Sequence, residues 1–254
     1  MRLLLLALLL TACASPDSAP DPAGGSSRLG APADVPEAGA PEEEAPADTL
    51  DGFDAQAWLA EAREVGVGVY GADLDDPGTV RMKELAGELD AVAGWRRACD
   101  TYRDYETGEE VYDPVAPGEG SWARGTFEVA EISDGQSLVA VTCDFGAYQG
   151  GYAFVRITGN DVELLTAPLL DEGGQPSGPT YGIFGTPDLT EASAGILRTF
   201  AKARGLGDCG VYVEYAMGEG DSLSVQEVRQ RECGDDIPDP FPAPSDWPVV
   251  YRAE

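Results

Sequence analysis

The sequence contains no histidine, so its thiols and carboxylates are the first side chains to consider for chemistry. Without an imidazole, neither a Ser-His-Asp or Cys-His catalytic device nor an imidazole metal site can form. Four of the five cysteines are widely spaced and include no Cys-x-x-Cys pair, which argues against a zinc site; they are Cys99, Cys143, Cys209 and Cys233. An even set of cysteines pairs into disulfides wherever the compartment permits oxidation. Two disulfides are therefore expected if the chain is exported.

The carboxylates are too abundant for any one pair to stand out. A hydrolase of glycosidic bonds needs two carboxyl groups at a set separation, and this chain has acidic residues throughout. The better candidates for binding are Arg204 and Asp208, in a glycine-rich turn, and Tyr148, which follows Gly-Ala in another turn. The alternative, which we favour, is that Asp208 caps the local backbone, Arg204 covers apolar surface and Tyr148 packs into the sheet. No P-loop or dinucleotide-binding turn is present, and no cofactor is predicted.

The N-terminus has the features of an export signal. Residues 1–12 contain one charge, a short leucine-rich run and then small residues, and a run this short cannot span a bilayer as a helix. The residues Leu-Thr-Ala-Cys that end at Cys13 resemble the lipobox of bacterial lipoproteins. The resemblance implies cleavage before Cys13, a diacylglycerol on its sulfur and stable anchoring by two or three acyl chains in the bacterial cell envelope, facing the periplasm or the exterior. The alternative is ordinary secretion, with Cys13 removed or unused.

The net charge limits the class of partner. The chain has 46 acidic and 16 basic residues and a formal net charge of -30, so nucleic acid would be repelled. An acidic surface suits a high-salt habitat or solubility through self-repulsion, which is the interpretation that we favour. The functional alternative is an electronegative face that attracts a cationic protein or holds divalent ions.

Composition divides the chain after the signal into two parts. Residues 13–48 consist of Ala, Pro, Gly, Ser and acidic residues, so they are predicted to form a disordered spacer behind the lipidated Cys13. Residues 49–254 are predicted to form one α+β domain, a mostly antiparallel sheet with two N-terminal helices packed on it. Residues 54–64 and 76–94 have apolar residues at helical spacing, and Asp76-Pro77 and Gly94 mark the two ends of the second helix.

The rest of the domain has the alternation typical of strands. Residues 127–132, 137–142, 152–157 and 162–167 are predicted strands, separated by tight turns that imply antiparallel pairing. Residues 105–121 and 168–187 are rich in Gly and Pro and are predicted loops. Residues 189–203 fit a helix or a strand, and we favour a strand. Residues 247–251 are predicted to form a closing edge strand, where the missing proline donor is tolerated.

A hairpin centred near Gly220 brings two of the cysteines together. Alternating apolar residues before and after this turn predict two strands that start after Cys209 and end before Cys233. A disulfide between these cysteines is therefore predicted at the base of the hairpin. Cys99 would then pair with Cys143 by elimination.

Residues 73–84 partly match a calcium-binding loop. Asp73, Asp75, Gly78 and Glu84 occupy template positions, but Pro77 stands where a side-chain oxygen is needed. A helix start at Asp76-Pro77 explains the same residues, and we favour it.

The order of several motifs resembles an uncharacterised family of exported bacterial proteins, a domain of unknown function. The motifs are Trp95, Ala98-Cys99-Asp100, residues 138–143, Gly146-Ala147-Tyr148, residues 204–210, Cys233 and Trp247-Pro248. The resemblance spans roughly residues 90–252 and implies export and a cysteine-stapled β-rich fold, but no reaction. In the family a second cysteine often follows the Cys-Asp pair, and residues 103–106 contain none, which leaves the partner of Cys99 open.

Three hypotheses for the function follow. The leading one is a non-enzymatic envelope lipoprotein that binds or inhibits a cationic partner outside the cytoplasm. The rival is a carboxylate-based hydrolase that acts on envelope glycans. The third is a structural or stress-related lipoprotein without a small ligand.

Overall fold

The structure, a computed structural model, describes residues 52–65, 76–103, 110–115, 121–133, 135–145, 149–218, 220–234 and 240–254. All of them belong to one compact unit, Ala45–Glu254. The predicted signal peptide, Cys13 and the acidic spacer lie outside the described residues, and so do Asp73, Asp75 and Tyr148.

Three helices begin the described chain: α1 Ala55–Val65, α2 Pro77–Ala93 and α3 Trp95–Cys99. Asp76 caps α2, since its carboxylate accepts hydrogen bonds from the backbone N–H groups of Gly78 and Thr79 at 2.9 and 3.2 Å. Gly94, with φ of 66°, ends the helix in the left-handed conformation. The two predicted helices and the helix start at Asp76-Pro77 are therefore confirmed. None of the helices in the described ranges is long and apolar enough to cross a bilayer.

Fourteen strands follow in the described ranges, and all pairings between them are antiparallel. One isolated parallel bridge, outside the strands, joins Thr166 to Ser222. In chain order they are β1 Thr101–Arg103, β2 Glu110–Tyr112, β3 Phe127–Ser133, β4 Gln136–Phe145, β5 Gly150–Thr158, β6 Asp161–Leu165, β7 Ala167–Leu170, β8 Pro176–Thr180, β9 Gly182–Phe184, β10 Thr186–Asp188, β11 Ile196–Lys202, β12 Gly210–Met217, β13 Leu223–Arg231 and β14 Val249–Arg252. The first sheet has the order β3-β4-β5-β6, with β9 also on β5, and the second has the order β10-β11-β12-β13-β14. Two-stranded ribbons β1-β2 and β7-β8 complete the fold, so the predicted α+β class is confirmed.

The first sheet lies between the helices and the second sheet. Its central strand β4 is buried on both faces, which explains the uninterrupted apolar run in its sequence. Val139 and Val141 pack in one core with α1 and α2, together with Trp58, Leu85, Leu89 and Trp95. Leu138 and Ala140 face a second core with Leu197, Val213, Tyr215 and Val228 of the second sheet.

The two predicted loops are partly wrong. Residues 168–187 contain most of β7 and β10 and all of β8 and β9, and residues 105–121 contain β2. Proline and glycine obscured these strands because they are short and lie in two-stranded ribbons or at sheet edges, where a missing backbone donor is tolerated. The strand favoured for residues 189–203 is confirmed as β11, after a single 3-10 turn, Ala192–Ala194. The predicted edge strand near the C-terminus is confirmed as β14.

Candidate functional site

Both predicted disulfides are present. Cys209 joins Cys233, and Cys99 joins Cys143, with Cα atoms 5.1 Å apart in each pair. The register of β12 and β13 pairs Gly210 with Arg231, so the first disulfide closes the base of the hairpin as the sequence predicted. Cys209 is fully buried, whereas Cys233 is exposed.

Arg204 and Asp208 form a clamp next to this disulfide. The guanidinium of Arg204 donates to both carboxylate oxygens of Asp208, with its Nε 2.8 Å from Oδ1, and its Nη1 donates to the carbonyl oxygen of Gly234 at 3.2 Å. Asp208 is 2% exposed. Its hydrogen bonds from Arg204 outweigh its desolvation and hold the pKa of Asp208 below its usual value. The clamp therefore joins the turn before β12 to the segment after Cys233.

A clamp of the same composition stands beside the second disulfide. Arg124 donates through Nη2 to the carboxylate of Asp100 and through Nη1 to the carbonyl oxygen of Cys143 at 3.0 Å. Its guanidinium lies 6.0 Å from the ring centroid of Trp95, whose indole N–H donates to the carbonyl oxygen of Ala86. In both places an aspartate adjacent to a cysteine in sequence is buried and is satisfied by an arginine.

The sequence identified only part of this second clamp. The Cys-Asp motif indicated Asp100, but Arg124 was not among the candidate residues because 24 positions separate it from its partner. The available signal was the aspartate itself, since a carboxylate next to a buried disulfide requires a cation or several hydrogen-bond donors.

The turn that carries Arg204 also meets the segment after Tyr148. The side-chain amide of Gln149 donates to the carbonyl oxygen of Lys202 at 2.9 Å and accepts from the backbone N–H of the same residue. Gln149 is buried, so this contact fixes the start of β5 against the end of β11. The structure thus brings Gln149 close to the 204–210 motif, and the binding role of Tyr148 itself stays a prediction.

Trp247 covers the part of the second sheet near the end of β11. The indole is buried, and it packs edge-on against Phe200 with ring centroids 5.4 Å apart. Its indole N–H donates to the carbonyl oxygen of Pro242, and its carbonyl oxygen accepts from Arg229. The Trp-Pro motif therefore has a packing role on the second sheet, on the side of the Arg204–Asp208 clamp.

The arrangement does not resemble a catalytic or metal centre. A general acid needs a raised pKa, whereas Asp208 is held ionised by Arg204. No group of three or more Cys, Asp or Glu suited to a metal ion occurs within the residues that the structure describes. Of the calcium-loop positions that the structure describes, Gly78 donates its backbone N–H to the helix cap Asp76, and Glu84 contacts Arg81 at 3.1 Å.

The acid dependence of stability tests the Arg204 clamp. Because folding lowers the pKa of Asp208, its ionised form stabilises the fold above the unfolded pKa of about 3.9, and this contribution is lost as the pH falls through the lower folded pKa. We expect Asp208→Asn to have a lower Tm than the wild type at pH 7, and the difference to shrink toward pH 3. Thermal unfolding followed by circular dichroism measures both.

The control for this experiment is Asp246→Asn, at an exposed aspartate in the C-terminal segment. We expect it to change the Tm little at either pH. If the wild type and Asp208→Asn have the same Tm at pH 7, or if their Tm values differ more in acid, Arg204 does not stabilise the ionised carboxylate.

Comparison with known proteins places the chain in a family. A family model described as "Protein of unknown function (DUF1176)" matches residues 111–254, more than half of the chain. The match includes Cys143, Cys209, Cys233 and the 204–210 motif, while α1, α2 and Trp95 lie before it. No curated protein and no solved structure matches the chain. The resemblance to a domain of unknown function is thereby confirmed: the chain belongs to the DUF1176 family.

Proposed function

We propose that this chain is a lipid-anchored envelope protein that binds a cationic partner outside the cytoplasm and catalyses no reaction. The lipobox at Cys13 supports the anchor, and the two disulfides are consistent with a location outside the cytoplasm. The choice of a cationic partner rests on how the chain distributes its own charges.

The observation that carries the proposal is the pairing of the arginines. Arg81 alone contacts three carboxylates, those of Glu61, Glu84 and Glu88. Eight arginines of the described residues pair with at least one acidic side chain: Arg81, Arg96, Arg124, Arg156, Arg198, Arg204, Arg229 and Arg252. Half of the chain's 16 basic residues are thus paired with carboxylates within the fold, and the acidic excess remains for a partner.

One row of the second sheet illustrates this excess. The strand register aligns one charged residue from each of the five strands: Asp188, Arg198, Glu214, Glu227 and Arg252. Arg198 is shared by Glu214 and Glu191, at 2.9 and 2.6 Å. Burial opposes ionisation of Glu227, yet hydrogen bonds from Arg252 and Arg229 bring its pKa below the usual value. The row contains three carboxylates and two guanidinium groups, and both guanidinium groups are already paired with glutamates.

The rival hydrolase has one observation in its favour. Glu128 is exposed as a residue, but partial burial of its carboxyl raises its pKa, and the nearby carboxylate of Asp188 raises it further. A glycosidase uses one carboxyl kept protonated and one kept ionised. If this chain cleaves envelope glycans, Glu128 and Asp188 are the candidate catalytic carboxyl groups, and Glu128→Gln should abolish the cleavage.

Binding of a defined basic protein tests the leading proposal. The chain is titrated with lysozyme at about 10 mM salt, where the Debye length is about 30 Å, and at about 1 M, where it is about 3 Å. We expect binding at low salt and a Kd at least about tenfold weaker at high salt, since charge attraction is screened. An acidic protein of similar size is the control and should bind at neither salt concentration. Absence of lysozyme binding at low salt, or binding that salt does not change, would contradict the proposal.

A further inference from the structure

A groove opens at the end of the molecule where the strands of both sheets turn. Four segments line it: the β3–β4 turn, the β5–β6 turn, the 3-10 turn before β11 and the β12–β13 turn. Its volume is about 970 Å³, and its lining includes Ile132, Arg156, Asp161, Glu163, Ser193 and Gly218. We call it the hairpin-end groove. It lies at the opposite end of β11 and β12 from the Arg204 clamp, because β11 starts there and β12 ends there.

Arg156 bridges the two sheets beneath this groove. Its side chain is 12% exposed and donates to the carboxylate of Glu163. It also donates to the carbonyl oxygens of Gly218, at 2.8 Å, and Gly220. These bonds tie β5 of the first sheet to the β12–β13 turn of the second sheet at the base of the groove. The ion pair with Glu163 also neutralises the charge of Arg156.

Among the described residues that line the groove, Asp161 carries the charge that no partner balances. It is exposed at the start of β6 and makes no ion pair with any described residue. With Arg156 balanced by Glu163, the carboxylate of Asp161 is left to attract a cation. An anionic ligand would meet two carboxylates and a guanidinium that is already occupied, so the charge disfavours it.

The remaining lining suits a peptide. Ser133, Gln136, Thr158 and Ser193 contribute hydroxyl and amide groups. The carbonyl oxygens of Gly195 and Gly218 already accept hydrogen bonds from Met217 and Arg156, so the side chains are the groups that a ligand would meet. An extended peptide presents a donor and an acceptor at every residue and needs such partners when it is bound. The volume also falls within the range of about 300 to 1,000 Å³ that is usual for ligand pockets.

We propose that the hairpin-end groove binds an extended peptide segment whose lysine or arginine side chain contacts Asp161. This inference rests on the proposed function and locates it, since it assigns the cationic partner to one end of the fold. The segment would lie between the turns of the two sheets.

Fluorescence anisotropy with a labelled octalysine peptide tests the proposal on the full chain at about 10 mM salt. Asp161→Lys reverses the charge in the groove, and Ser193→Trp fills the groove without changing the charge. We expect each substitution to weaken octalysine binding by about tenfold or more, a difference of about 1.4 kcal/mol. Both positions are exposed, so each variant should keep the Tm of the wild type.

The matched control is Glu172→Lys, which changes the net charge as much as Asp161→Lys but lies in the exposed β7–β8 turn outside the groove. We expect it to change the Kd by less than about twofold to threefold, the effect of one distant screened charge. The inference is overturned if Glu172→Lys weakens binding as much as Asp161→Lys while Ser193→Trp has no effect, because binding is then diffuse. It is also overturned if lysozyme binds and octalysine does not, an outcome that leaves the proposed function standing. If neither probe binds, both proposals fail.

Discussion

Replacing Cys99 and Cys143 together by alanine is expected to lower the free energy of unfolding by about 4 kcal/mol. The cysteines are 44 residues apart, and cross-linking them restricts the unfolded chain more than the shorter link between Cys209 and Cys233 does. The disulfide also joins α3 to β4, the strand that is buried on both faces. Urea unfolding of the oxidised wild type and the double variant measures the difference.

The matched comparison is the double alanine variant of Cys209 and Cys233. These cysteines are 24 residues apart, for which the chain-entropy relation gives about 3.5 kcal/mol. A loss below about 1 kcal/mol in the Cys99 and Cys143 variant would contradict the expected stabilisation by this disulfide.

Arg124→Met is expected to destabilise the fold by about 3 to 5 kcal/mol. Arg124 and Asp100 are largely buried, with side chains 13% and 6% exposed, so removal of the guanidinium leaves a carboxylate in the interior without its cation. The carbonyl oxygen of Cys143 also loses a donor. Chemical unfolding of the variant at neutral pH measures the loss.

Two variants separate this effect from simple loss of contact. Arg96 lies 5.3 Å from the ring centroid of the same Trp95 and pairs with Asp90, but half of its side chain is exposed. Arg96→Met should therefore change stability by no more than about 1 kcal/mol. Combining Arg124→Met with Asp100→Leu should restore part of the loss, since no buried charge is left unpaired. If Arg124→Met is as mild as Arg96→Met, the pair contributes no more than a surface ion pair.

Features set by neighbouring residues were predictable from the sequence. The start of α2 depends on Asp76-Pro77 and its end on Gly94, and both signals act within one helical turn. The hairpin around Gly220 likewise combines a local turn with alternating apolar residues, which placed Cys209 opposite Cys233. Each of these predictions required only contacts between residues close in sequence.

Features that depend on distant contacts were not predictable in the same way. The pairing of β9 with the distant strand β5 is not visible in the local propensity of residues 168–187. The β7–β8 hairpin is local, but its prolines and glycines indicated a loop. The Asp100–Arg124 pair joins separate elements. The hairpin-end groove has no single sequence signature, because its walls come from four turns spread over residues 132–220.

The structure also changes how the sequence motifs are understood. Arg204 and Asp208 stood out because glycines hold them in a turn. The same residues at the same spacing are compatible with a binding site and with a structural clamp. In the structure, the carboxylate of Asp208 is committed to Arg204 beside a disulfide. Asp161 and Ser193 had no motif to single them out, yet they line the groove that suits a ligand.

The most direct test of whether this protein is exported and cross-linked by two disulfides is mass spectrometry of its non-reduced peptides. The protein is purified from the cells that produce it. We expect Cys99 linked to Cys143, Cys209 linked to Cys233, and a first residue, Cys13, that carries lipid. Four free thiols, a link between Cys209 and Cys143, or an N-terminus that retains residues 1–12 would contradict export, the proposed anchor and the fold's cross-links.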